Sequence, residues 1–238
     1  MPNHFFRFKQ FTIQQDKTAM KVCTDACLFG AFVANEIKDK QLNSILDIGA
    51  GTGLLSLMLA QKNNTSIEAV EIDNNAYQQA KENIQQSPWK ERVSIVNTAI
   101  QDYKPGKKFD YIISNPPFFE NDLIAADEQK NAAKHDSTLT LQELLHNIER
   151  TLTTEGSFAV LLPHHRTNYF ITAAHTLNFY PSKLLLVKQT PRHDYFRSIT
   201  IFNRQQTVLE TKEMIIKNEG ANYSEEFITL LKDYYLYL

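Results

Sequence analysis

The feature that most restricts the fold is a glycine-rich turn, Asp47-Ile48-Gly49-Ala50-Gly51-Thr52-Gly53, set between a short apolar run and an amphipathic stretch. Three of the chain's seven glycines fall within its last five positions. Glycine has no Cβ and adopts positive φ at little steric cost, so the backbone here turns tightly and lets a ligand approach. Such a turn at the carboxyl end of a strand is where open, parallel α/β sheets bind their ligands.

The rest of the chain agrees with that setting. Short apolar runs alternate with longer amphipathic stretches, the pattern of a parallel sheet flanked by helices. Strands are expected over Ser44–Ile48, 67–72, 92–97, Phe109–Ser114, 157–162, 183–188 and 198–202, the last two pairing as an antiparallel hairpin. Helices are expected over 54–61, around Ala76, Ala80 and Ile84, and over 139–153, 169–177 and 225–235. Residues 1–43, with Phe5, Phe6, Phe8 and Phe11, form a segment of their own ahead of the main domain at 44–238. The expected fold is α/β and Rossmann-like: a mainly parallel seven-stranded sheet, helices on both faces and an antiparallel C-terminal hairpin. At 238 residues and 42% apolar content, the chain suits one such domain.

No apolar run is long enough to span a bilayer, and the start lacks a signal-peptide pattern. Cys23 and Cys27 have no companion Cys or His cluster, so neither a disulfide framework nor a metal site is expected. A cytoplasmic monomer is the expectation. The formal net charge of −2 argues against a protein coated in basic surface, and leaves room for a local basic patch.

The turn's spacing is Gly-x-Gly-x-Gly, which departs from the Gly-x-Gly-x-x-Gly of dinucleotide folds. Asp47 closes the first strand and is placed to accept from the ammonium of an amino-acid-like ligand. Glu71 closes the second and can accept from both hydroxyls of a ribose. A nucleoside with an amino-acid tail satisfies both, which points to S-adenosylmethionine. The fourth strand leads into Asn115-Pro116-Pro117-Phe118-Phe119. Two prolines stiffen this turn and donate no amide hydrogen. Their carbonyls and the Asn115 side-chain oxygen are then acceptors for an amino group, and Phe118 or Phe119 can stack on a base.

These residues resemble motifs I and IV of the Asn-Pro-Pro-Tyr/Phe class of Rossmann-like methyltransferases. The flanking segments Phe8-Lys9-Gln10-Phe11, residues 19–25, Asn83-Ile84-Gln85-Gln86-Ser87-Pro88-Trp89 and Asn222-Tyr223-Ser224-Glu225 are similar to the bacterial valine-tRNA adenine N6-methyltransferases. The resemblance implies methylation of adenine N6 immediately 3′ of the anticodon, with S-adenosylmethionine as cofactor and tRNA as partner. It places Asp47, Gly49, Gly51, Gly53, Ile72 and Ala99 at the cofactor and Glu71 on its ribose. It folds the segment with Lys21 and Thr24 over the cofactor's amino-acid end, and puts Asn115, Pro116, Pro117 and Phe118 at the target base. Phe118 stands where adenine N6 enzymes more often carry tyrosine, and Ala99 where an acid often approaches the adenine, with Asp102 close by.

Three sets of basic residues are candidate phosphate contacts: Arg7, Lys9, Lys17 and Lys21; Lys130, Lys134 and His135; and His164, His165 and Arg166. The competing functions are rRNA guanine N2 or protein glutamine N5 methylation, and a non-catalytic RNA-binding scaffold.

Overall fold

The computed structural model describes residues 3–18, 20–117 and 139–238. It opens with a hairpin of β1 (Phe5–Arg7) and β2 (Thr12–Gln14), followed by α1 (Thr24–Ile37). The alternating part comprises β3 (Ser44–Ile48), α2 (Leu54–Lys62), β4 (Ser66–Glu71), α3 (Asn74–Gln85), β5 (Val93–Asn97) and β6 (Phe109–Ser114). Next come α4 (Leu141–Thr151), β7 (Leu152–Pro163), a 3-10 turn at His164–Arg166 and α5 (Thr167–Thr176). The chain closes with β8 (Tyr180–Lys188), β9 (Tyr195–Asn203), β10 (Glu210–Ile215) and α6 (Glu225–Leu231).

Among the described residues one large sheet runs in the order β10-β8-β9-β7-β6-β3-β4-β5. Strands β5, β4, β3, β6 and β7 are mutually parallel, and β8 and β9 form the expected antiparallel hairpin against β7. The seven strands read from the sequence are all present. An eighth, β10, corrects the count by adding in parallel to β8 at the sheet's edge. Of its residues Glu-Thr-Lys-Glu-Met-Ile only Met214 is buried, so it carries no apolar alternation to read. Charged side chains on such an edge also discourage pairing with another chain.

Side chains alternate across the sheet and fill two apolar layers. Tyr111, Ile113, Ala159 and Leu161 face the layer under α1, α2 and α6. Ile112, Phe158, Val160 and Leu162 face the layer under α4 and α5. Local capping sets the helix starts. Asp73 Oδ1 accepts from the Ala76 amide at 2.7 Å, and Thr140 with Glu143 forms a capping box at α4.

The order of the parallel strands creates the site. The chain runs outward from β3 to β5, then returns to lay β6 on β3's other flank. Connections therefore leave the carboxyl ends of β3 and β6 in opposite directions and open a crevice between them. Ser114 Oγ donates to the Ile48 carbonyl at 2.9 Å, tying the two strand ends together at its floor.

Candidate active site

At this crevice the described residues enclose a cleft of about 630 Å³, within the range of small-molecule and cofactor sites. Gly49, Gly51 and Gly53 have φ of +73°, +56° and +80°, the left-handed region that favours glycine. The Gly49 amide donates to the Val70 carbonyl at 2.9 Å, and the Gly51 amide to Glu71 Oε2 at 2.8 Å. Gly49 and Gly51 line the cleft, and a Cβ on either would meet no heavy atom within 4 Å. The turn thus leaves open a space that side chains would fill. Gly53 lies deeper: a Cβ there would stand 3.4 Å from Ala80 Cβ, so it lets α2 start close against α3.

Asp47 does not itself line the cleft. Its carboxylate is completely buried behind the turn. Oδ2 accepts from the Ser56 amide at 3.1 Å and from Ser56 Oγ at 2.7 Å, clamping the first turns of α2. The side chain points to the face that α2 covers, because it shares the alternation of Ile45. Burial pushes its pKa up to about 7, opposed by the Ser56 hydrogen bonds and assisted by the nearby Glu71 charge. Its other oxygen, Oδ1, has no hydrogen-bond partner among the described residues.

Glu71 does line the cleft, but it already serves the backbone. Oε2 takes the Gly51 amide and Oε1 takes the Asp73 amide at 2.9 Å. Each carboxylate oxygen has two lone pairs, so one on each remains for a ligand hydroxyl. Ile72, largely exposed at the end of β4, and Ala99 also line the cleft, together with Ile100 and Asp102. These give an apolar slot with a polar rim.

Asn115 and Pro117 line the opposite wall, and Pro116 is buried beneath them. Asn115 Oδ1 is buried without a hydrogen-bond partner among the described residues. A buried, unsatisfied acceptor is costly, so it marks a place where a donor arrives with a ligand. Phe118, Phe119, Lys130, Lys134 and His135 lie outside the described residues.

Lys21 and Thr24 do not line the cleft. Lys21 Nζ donates to the carbonyls of Gln15 and Thr18, and Thr24 begins α1. Thr18 and Met20 stand at the cleft in their place. Two buried amides of α3 hold that segment. Asn83 Oδ1 accepts from the Gln14 amide at 2.8 Å, while its Nδ2 donates at 2.9 Å to the carbonyls of Gln14 and Thr52. Gln79 Oε1 accepts from the Lys17 amide at 3.0 Å.

The sequence reading also missed Asp73, Leu139 and Glu143 at the cleft. Asp73 and Glu143 carried a local signal, an N-cap acid and a Thr-x-x-Glu capping box. Thr18 and Met20 had none, because only the folding of the hairpin onto α3 brings them there. Among the described residues no group of three or more His, Cys, Asp or Glu side chains is placed to hold a metal ion.

The geometry fits S-adenosylmethionine: a glycine cradle with open space above it, an acid at the second strand end, an apolar slot and an unsatisfied acceptor opposite. Comparison with known proteins agrees. The family model described as methyltransferase small domain matches residues 29–176. The chain is 44% identical over 240 residues to the tRNA1(Val) (adenine(37)-N6)-methyltransferase of Dyadobacter fermentans, covering 98% of each chain. It is 39% identical to the protein of that name from Bacteroides thetaiotaomicron, covering all of both. A solved structure of a predicted O-methyltransferase from Agrobacterium tumefaciens shares the fold, with a TM-score of 0.67 at 15% identity, over 88% of this chain and 96% of the other. On the strength of these full-length matches, the chain belongs to the tRNA1(Val) (adenine(37)-N6)-methyltransferase family, within the methyltransferase small domain family.

Proposed function

We propose that this chain methylates the N6 amino group of the adenine at position 37, immediately 3′ of the anticodon, in a valine tRNA, with S-adenosylmethionine as cofactor. The names of its full-length relatives support the substrate. The observation that carries the chemistry is that Asn115, whose Oδ1 is buried with no partner among the described residues, lines the same cleft as Gly49 and Gly51 of the glycine turn.

When bound, S-adenosylmethionine supplies a methyl group activated on a sulfonium. The Gly49–Gly51 backbone would hold its amino-acid portion, Glu71 its ribose, and Ile72 and Ala99 its adenine. The protein's further task is to prepare a poor nucleophile, since the target nitrogen's lone pair is delocalised into the purine ring. Asn115 Oδ1 and a carbonyl of the proline turn accept the two N–H hydrogens, which turns the lone pair out of the ring plane. Pro116 and Pro117 keep those acceptors from relaxing. Positioning and fixed dipoles supply the rate.

Residues 1–43 act in this proposal as the cover of the cofactor site, with Thr18 and Met20 at its inner edge. The enzyme works as a monomer in the cytoplasm. Among the described residues no helix is long and apolar enough to cross a membrane, and the charged β10 edge disfavours pairing with another copy.

Incubation with labelled S-adenosylmethionine and total RNA lacking this modification, followed by nucleoside mass spectrometry, tests the proposal. N6-methyladenosine mapped to the anticodon loop of valine tRNA is expected. N2-methylguanosine, or label only in protein, overturns the substrate.

A further inference from the structure

The chain offers two described sets of basic side chains for an RNA, and they differ in where the sheet places them. The N-terminal lysines are exposed, and each has a partner within the fold. Lys9 Nζ donates to the Lys232 carbonyl, Lys17 pairs with Glu82, and Lys21 donates to two carbonyls of its own segment.

The other set lies on the edge of the sheet that bears the cleft. β7 runs parallel to β6, with Val160 opposite Ser114, so the His164–Arg166 turn emerges one strand away from Asn115. β9 pairs Arg197 with Pro163, and β8 pairs Lys188 with Tyr195. Lys188 and the 189–194 connection therefore emerge on the same edge. At about 4.8 Å per strand, Lys188 lies roughly 14 Å from the line of β6.

Aromatic faces interleave with these cations. The Arg166 guanidinium lies 5.3 Å from the centre of the Tyr169 ring, and Lys188 Nζ 4.4 Å from that of Tyr195. Tyr169 is 46% exposed, so its ring is accessible to a base. The Arg192 side chain is 80% exposed, and its partner Glu219, at 3.6 Å, is 67% exposed. A pair so solvated holds little energy, so a phosphate can take the Glu219 carboxylate's place. Arg197 belongs to the fold, donating from Nε to Asp25 Oδ2 at 2.8 Å. Asp194 lies in the 189–194 connection beside these cations, and Glu213 accepts from the Tyr195 hydroxyl.

We propose that this edge is the docking surface for the RNA backbone flanking the target base. Lys188 and Arg192 neutralise phosphates, and Tyr169 offers a stacking face. Cations alternating with exposed rings are what a splayed, single-stranded loop requires, since phosphates set affinity and every base has a π-face. The docking surface rests on the tRNA substrate proposed above.

The test is binding of an unmodified valine tRNA transcript across a series of salt concentrations, with S-adenosylmethionine binding and thermal unfolding measured on the same samples. Each lost phosphate contact takes about 0.7 to 0.9 off the slope of log K against log salt. The double variant Lys188→Ala/Arg192→Ala is expected to bind tRNA at least about tenfold more weakly, with a slope lower by about 1.4 to 1.8 and cofactor binding unchanged. Tyr169→Ala is expected to lose affinity with no change of slope. A folded double variant with wild-type affinity and slope overturns the docking surface, as does transfer of the slope loss to Lys9→Ala/Lys17→Ala. In either case wild-type methylation of the tRNA leaves the substrate standing. Wild-type protein that binds the cofactor but no RNA overturns substrate and docking surface together.

Discussion

Two side chains at neighbouring strand ends show how placement alone separates roles. Asn115 and Asp47 each keep one buried oxygen without a partner among the described residues. Asn115 lines the cleft, whereas Asp47 sits behind the glycine turn under α2. Asn115→Ala is expected to lower the single-turnover rate on tRNA on the order of a hundredfold, the size of one lost transition-state hydrogen bond, with cofactor affinity little changed. Retention of the wild-type rate removes Asn115 from the chemistry. Asp47 should instead appear in the pH dependence of stability. Its pKa is raised from 3.8 to about 7 on folding, so the folded state holds the proton more tightly than the unfolded chain. The stabilisation is complete below pH 3.8 and is lost as pH rises through about 7. Asp47→Asn keeps an acceptor for Ser56 and abolishes that titration. The melting temperature of wild type, taken relative to this variant, should fall between pH 4 and pH 7, on the order of the raised pKa interval. A constant difference across that range would show that Asp47 is ionised throughout.

Among the elements, α3 has the widest reach. Its outer face is polar, but Ala76, Gln79, Ala80, Asn83 and Ile84 are buried. Two of these five are amides, and they hydrogen-bond the hairpin side and the turn side of the cleft at once. Asn83→Ala removes three hydrogen bonds and leaves backbone groups of Gln14 and Thr52 unsatisfied. The expected cost is about 2–3 kcal/mol in chemical denaturation. The Michaelis constant for S-adenosylmethionine should rise more than the turnover number falls, since Thr18 and Met20 are positioned and not chemical. Equal stability of variant and wild type would show that the hairpin is held elsewhere. Periodicity reveals α3 through its apolar positions, but a buried amide reads like a surface residue, so its clamping role is invisible before the fold is known.

Across the whole molecule the two chain ends meet. Phe8 bridges to Tyr235, and the Lys9 amide donates to the Tyr234 carbonyl at 2.8 Å. Phe8 stacks on Phe11 at 4.5 Å, Phe11 meets Trp89 edge-on at 5.6 Å, and Tyr235 lies 5.6 Å from Phe6. Tyr234 and Tyr235 are thereby packing residues, while Tyr237 is exposed. Tyr235→Ala should cost about 3–5 kcal/mol, the range for deleting a buried aromatic ring. It should also weaken cofactor binding, because the clasp holds the near end of the segment whose far end borders the cleft. A variant that melts early yet binds the cofactor as wild type does would uncouple the clasp from the site.

Local chemistry determined much of this in advance. The alternation of apolar runs specified the seven strands, and the requirement for positive φ placed the glycine turn, because both are properties of a few adjacent residues. Residue type and motif likewise put Gly49, Gly51, Glu71, Asn115 and Pro117 at strand ends that the fold gathers around one cleft. Tertiary structure alone decided which way Asp47 points, which N-terminal residues reach the cleft, and that a polar eighth strand closes the sheet. It also decided which partners three exposed N-terminal lysines meet, and that Lys188 and Arg192 stand on the cleft's own edge. Those facts depend on contacts between residues far apart in the chain, and a charged or amide side chain carries no local mark of the partner that folding will bring to it.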